Sequence, residues 1–263
     1  MPAVSHIVSE LGLAIALDGP KLVGRATVVP EMCVPGSVAV RTSVLATWVD
    51  VLTGTLCIRA MAPRIPVTLD LEVQVLNPPA AGDTVTIEAD IVKQGRTVLV
   101  SEARAYVGGS RTPAAFAVTS FIASPDPSHV FPPDFRPPLR LNVGRLSAPL
   151  AERAQCAVGT PGTAEVPRRN DGLNSAGGIQ GGLVALVAEE AAASLADEPA
   201  LLRFLNLRYL RPFAVGPARA TAERHGDTCL VHLTDAGAGR LSAIATAQLA
   251  DAPEASEEHA AGG

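Results

Sequence analysis

The sequence predicts an α+β protein built from two copies of one unit. Three observations carry that reading. One long apolar helix followed by a run of antiparallel strands occurs twice. A proline-rich stretch separates the two occurrences. The turn residues of the two copies also align: Asn77-Pro78 with Gly82 corresponds to Arg211-Pro212 with Gly216 at equal spacing, and Gly95-Arg96-Thr97 to Gly226-Asp227-Thr228. A tandem repeat of this size implies a fused dimer, its like units facing each other across a pseudo-twofold axis.

In the first copy, Leu11–Leu17 and Val23–Val29 read as strands joined by the turn Asp18-Gly19-Pro20. Ser37 to about Met61 reads as helix, because apolar residues recur every three or four positions until Pro63 and Pro66 end it. Val67–Leu76 alternates as a strand should, and Thr84–Val92, Thr97–Val107 and Ala114–Ile122 follow as three more. Ser124–Arg140 holds six prolines between 125 and 138, which removes donors and fixes φ, so it is expected to be an extended connector. In the second copy Val143–Ala157 is mixed. Gly178 to about Ala196 reads as helix, and Leu202–Leu210, Ala218–Arg224, Thr228–Leu233 and Leu241–Leu249 as strands. The expected domains are residues 1–123 and 141–250, with a 124–140 linker and a disordered tail at 251–263.

Composition narrows the function. The 263 residues are 48% hydrophobic and 18% charged, enough apolar surface for a full core and too little charge for a disordered chain. A net charge of −5 argues against phosphate neutralisation, and 3% aromatics against base-stacking platforms, so no nucleic-acid partner is expected. No run resembles a membrane span or a signal peptide, which points to the cytoplasm. Cys33, Cys57, Cys156 and Cys229 lie far apart, and the five histidines form no cluster, so neither a metal site nor a His-based triad has support. No Gly-x-Ser-x-Gly elbow occurs.

Two segments carry the chemistry. In Asn174–Glu190 a glycine-rich loop runs straight into a helix, and Gly181 and Gly182 leave orphan N–H groups uncovered at its positive end. That is a physical site for an anion or a developing oxyanion, although Asn174 can equally form an Asx turn and the glycines can serve close packing. In the other segment, Asp50 sits in an otherwise apolar helix beside Ala46, Thr47, Thr53, Gly54 and Cys57, all small. Desolvation there would raise its pKa into the range useful for a base; the alternative is a buried acid satisfied by its neighbours. Glu189 has similarly small neighbours.

The spacing of Asn174, Gly181, Gly182 and Glu189, with the strand Leu205–Pro212, resembles the hotdog-fold acyl-CoA thioesterases in their phenylacetate-pathway (PaaI-like) branch. In the first copy Thr42-Ser43, Asp50 and Leu69-Asp70-Leu71 fall in matching places. The family typically has His-Gly-Gly where this chain has Gln180-Gly181-Gly182. The resemblance implies a double hotdog whose sheets join edge to edge, with sites built across the dimer. Asp50 aligns with Glu189, Ser43 with Gly182, Thr42 with Gly181 and Pro35 with Asn174. One complete site would then combine Asp50 of the first copy with Asn174, Gly181 and Gly182 of the second. The other would pair Glu189 with an eroded loop around Pro35 and Thr42, and would be weak or dead. Gln180, Thr42, Ser43 and Arg96 are the substrate-binding candidates, with Arg41 and Arg64 as further partners for CoA phosphates.

The implied reaction is hydrolysis of an acyl-CoA thioester, with Asp50 activating water or attacking the carbonyl itself. No cofactor is expected, coenzyme A being part of the substrate, and a homo-oligomer is expected from exposed sheet edges. The competing readings are a non-catalytic acyl-CoA-binding or regulatory module and, with less support, a hydratase, for which the usual Asp and His pair is missing.

Overall fold

The computed structural model describes residues 5–18, 21–135 and 145–253. The first copy comprises the short helix α1 (Ile7–Glu10), β1 (Ala14–Asp18), β2 (Lys21–Thr27), the long helix α2 (Thr42–Met61), β3 (Pro66–Val75), β4 (Thr84–Gln94), β5 (Val98–Val107) and β6 (Ala115–Ala123). The second repeats the order with α3 (Leu150–Ala154), β7 (Ala157–Val158), β8 (Thr163–Val166), α4 (Gly181–Ala193), β9 (Ala200–Tyr209), β10 (Ala218–His225), β11 (Thr228–Asp235) and β12 (Arg240–Asp251).

All twelve strands form one sheet, in the order β1-β2-β4-β5-β6-β3-β9-β12-β11-β10-β8-β7. The copies join where β3 pairs antiparallel with β9. Glu72 lies opposite Asn206 there, and the Asn206 side-chain amide donates to the Glu72 carboxylate at 3.1 Å. These two positions are separated by the same offset as Asn77 and Arg211, so the pseudo-twofold axis passes between them. Both long helices lie on one face of the sheet and pack against each other.

Helix α2 begins at Thr42, five residues later than its pattern suggests, because Cys33 bridges to Val40 and Arg41 is still extended. It has no polar face. Thr47, Thr53 and Thr55 return their hydroxyls to the carbonyls four residues back, at 2.7, 2.8 and 2.7 Å, so they are buried without unpaired donors. Trp48 is fully buried, and its indole N–H donates to the Leu11 carbonyl at 3.0 Å. By length and composition Thr42–Met61 would also pass for a membrane span, contrary to the sequence reading; here it is a core helix, most of it buried.

Two segments are tied down more closely than the sequence indicates. The segment 124–135 is more than a connector: Ile65 N–H donates to His129 O at 3.1 Å and Phe131 N–H to Pro63 O at 2.7 Å, which ties it along the start of β3. Residues 136–140 lie outside the described residues. The expected tail begins too early, since Asp251 ends β12, Ala252 N–H donates to Pro199 O at 3.0 Å and Ser37 Oγ donates to Pro253 O at 2.6 Å. Residues 254–263 lie outside the described residues.

Candidate active site

Helices α2 and α4 run past each other so that the middle of one meets the start of the other. A Cβ built on Gly181 would stand 3.0 Å from Asp50 Oδ2 and 3.1 Å from the Tyr209 hydroxyl oxygen. The carboxylate of the first copy therefore lies against the first turn of the second copy's helix.

Three side chains fix this corner. Thr68 Oγ1 donates to Asp50 Oδ1 at 2.8 Å, Gln180 Nε2 donates to Asp50 Oδ2 at 3.1 Å, and the Tyr209 hydroxyl donates to Gly181 O at 3.0 Å. Gln180 is also the N-cap of α4, its Oε1 accepting from Gly182 N–H at 2.5 Å. Among the described residues no protein acceptor takes the Gly181 N–H, which is left at the positive end of α4. Burial pushes the Asp50 carboxyl up to about 6, against the opposing effect of the Thr68 hydrogen bond. Burial also holds the Tyr209 phenol well above its usual range, with the Asp50 charge adding to the effect, so it stays a neutral donor.

A cavity of about 820 Å³ opens at this corner. The α2 face that includes Asp50, Gly54 and Ile58 lines it, together with the start of β3, the 173–181 loop, Tyr209 and the segment after it, and Phe131 and Phe135 of the linker. The lining is mostly apolar, with polar side chains at the Asp50 corner, on the Asn174 loop, and from His6, Ser9, Thr55, Ser124, His129 and Arg211.

Of the sequence candidates, Asp50, Asn174, Gln180 and Gly181 line this cavity. Asn174 is exposed at its rim, with Oδ1 accepting from the Ala176 and Gly178 amides at 3.0 and 3.1 Å, so its carbonyl shapes the loop. Gly182 is a packing glycine: a Cβ there would sit 1.9 Å from Thr47 Oγ1.

The other candidates are not brought to the cavity. Glu189 is 2% exposed, with Oε1 accepting from Thr42 N–H at 2.8 Å and Oε2 from Ser43 Oγ at 2.5 Å. Arg41 lies 3.6 Å from Glu189 and 2.6 Å from Glu190. Thr42 and Ser43 are fully buried, and Thr42 Oγ1 donates to Leu202 O at 2.5 Å, so neither can meet a ligand at the cavity. Arg96 is exposed at the β4–β5 turn, away from the lining, and Arg64 binds the Ser124 carbonyl.

Sequence reasoning missed Thr68, Tyr209 and the linker phenylalanines. Tyr209 had a signal, since strand alternation puts it on the face of Leu205 and Leu207. Thr68 had none: the β3–β6 register slips between Thr68 and Asp70, leaving Leu69 as an extra residue. That bulge turns Thr68 toward α2, where unbroken alternation would point it away.

Residues 42–114 match the family model of the thioesterase superfamily. Solved structures of similar fold cover most of the chain. A 12:0-ACP thioesterase from Umbellularia californica is 13% identical with a TM-score of 0.59, covering 89% of this chain and 99% of its own. A hot dog fold protein from Alicyclobacillus acidocaldarius is 18% identical with a TM-score of 0.59, covering 94% and 98%. The tesB protein of Mycobacterium avium subsp. paratuberculosis is 15% identical with a TM-score of 0.58, also covering 94% and 98%. No curated protein matches the sequence. The chain is a tandem double hotdog, and the resemblance to the hotdog thioesterases holds.

Proposed function

We propose that the protein hydrolyses an acyl-CoA thioester to a free acid and coenzyme A. The observation that carries this reading is the Asp50 carboxylate, half-buried in an apolar cavity and set against the open first turn of α4. The thioester oxygen would point at the Gly181 N–H, where an uncovered amide and the helix dipole favour developing negative charge. Asp50, with a pKa of about 6, is mostly ionised at neutral pH and basic enough to take a proton from water as that water attacks the carbonyl carbon. The tetrahedral intermediate then expels CoA sulfur, which receives the proton from Asp50. Both carboxylate oxygens of Asp50 already accept hydrogen bonds, from Thr68 and Gln180, which favours this base role over direct attack.

CoA, rather than an acyl carrier protein, is favoured by the motif resemblance described above. The reaction requires no metal or redox cofactor. A homo-oligomer in the cytoplasm remains the expectation for the assembled enzyme.

The test is CoA or carrier release from matched acyl-CoA and acyl-carrier-protein panels, with and without Asp50→Asn. Turnover of acyl-CoA that Asp50→Asn abolishes supports the reading. Tight acyl-CoA binding without turnover in the native protein would replace it by a binding module.

A further inference from the structure

The cavity continues past Asp50 along α2, where Gly54 follows one turn on and Ile58 one turn after that. A glycine inside a helix costs conformational entropy relative to alanine, and Gly54 has no compensating backbone need, since its φ is not positive. Packing does not demand it either: a Cβ there would meet only the edge of Phe121, at 3.8 and 3.9 Å, which is ordinary contact. What the absent side chain provides is space beside the carboxylate. Farther along the same helix face Ile58 also lines the cavity, as does Phe131 of the linker, which is 8% exposed and stacked on Phe135 with ring centres 4.1 Å apart.

We propose that Gly54 is the length gauge of an acyl pocket. The acyl chain runs from Asp50 over Gly54 to a wall of Ile58 and Phe131. Eight helical residues rise about 12 Å. An extended chain advances about 3.5 Å over three bonds, so the pocket fits a straight acyl chain of about ten carbons. The position of the thioester in this picture rests on the hydrolase reading above; the shape of the pocket does not.

The experiment compares butanoyl-, decanoyl- and hexadecanoyl-CoA as substrates of the native protein, Gly54→Leu and Phe131→Ala. The native protein is expected to prefer the decanoyl ester. Gly54→Leu should lower the decanoyl-to-butanoyl ratio of kcat/KM by about tenfold or more, since a single methylene can be worth that much in an apolar pocket. Phe131→Ala removes the far wall without touching α2, so it remains informative if Gly54→Leu fails to fold. It should raise the hexadecanoyl-to-decanoyl ratio. An unchanged chain-length profile in the variants that fold would overturn the gauge. If none of the three esters is turned over, calorimetric titration with the same esters separates the two ideas. Decanoyl-CoA binding weakened selectively by Gly54→Leu, or hexadecanoyl-CoA binding strengthened selectively by Phe131→Ala, sustains the gauge and sinks hydrolysis. Binding indifferent to chain length sinks the gauge.

Discussion

Replacing Asp50 by Asn should stabilise the protein at neutral pH while abolishing turnover. Burial raises the Asp50 carboxyl from 3.8 to about 6. Between those values the folded chain holds a proton that the unfolded chain has lost. Stability therefore falls as pH rises through that window, and the full penalty is present above pH 6. At about 1.4 kcal/mol per pH unit, the penalty is about 3 kcal/mol. Asn carries no charge to desolvate. However, its amide cannot accept from both Thr68 and Gln180, and losing one of those hydrogen bonds costs about 1 kcal/mol. The net gain is about 2 kcal/mol above pH 6, a rise in Tm of roughly 4–8 °C for a chain of this size. Below pH 3.8 the gain should vanish and the variant should be slightly the less stable. Thermal unfolding of both proteins at pH 8 and in acid measures this. A variant no more stable than the native protein at pH 8 would mean that Asp50 carries no buried charge, and the argument for its basicity would fail.

Three further outcomes follow from the packing. Gly182→Ala drives a methyl group into Thr47 and should cost about 1–3 kcal/mol in urea unfolding. Thr47→Ala should relieve that only in part, because the Thr47 Cβ would itself lie 2.7 Å from the new carbon. Glu189→Ala strips the acceptor from Thr42 and Ser43 and half the counter-charge from Arg41, with an expected loss of about 3–5 kcal/mol in the same assay. Tyr209→Phe removes the hydroxyl that ties β9 to the first turn of α4, and kcat/KM for the preferred ester should fall by up to about tenfold.

The parts of this molecule that obey a period were legible in its sequence. The two long helices, the strands after them and the duplication follow from spacing, and Asp50 and Gly181 stand out because a carboxylate in an apolar helix and bare glycines before a helix each break a pattern. Thr68 was hidden because a bulge inverts the alternation it would be read by. The docking of the linker was not legible, because proline excludes helix and central strand but says nothing about whether an extended segment finds backbone partners, which this one does at Ile65 and Pro63. Thr42 and Ser43 match Gly181 and Gly182 in sequence position, yet in the fold they are the donors that consume Glu189.

That last contrast explains how one fold holds an open corner and a closed one. Asp50 and Glu189 occupy corresponding positions on α2 and α4, and each faces the first turn of the other helix. Glu189 is longer by one methylene, and its carboxylate reaches the Thr42 amide and seals it. Asp50 is held back by Thr68 and Gln180, and the Gly181 amide stays uncovered. One methylene thus separates a helix cap from a site with room for an oxyanion. Asp50→Glu should transfer the closed arrangement to the open corner: the longer carboxylate would take the Gly181 N–H for itself, and its charge, paired there with the helix end, would titrate below that of Asp50. The expected result is a folded protein of at least native stability at pH 8, with the acidic limb of its pH–activity profile moved down and kcat lowered by about a hundredfold, the usual cost of losing one oxyanion donor. Retention of native turnover by Asp50→Glu would show that the Gly181 amide is not the group that meets the substrate oxygen.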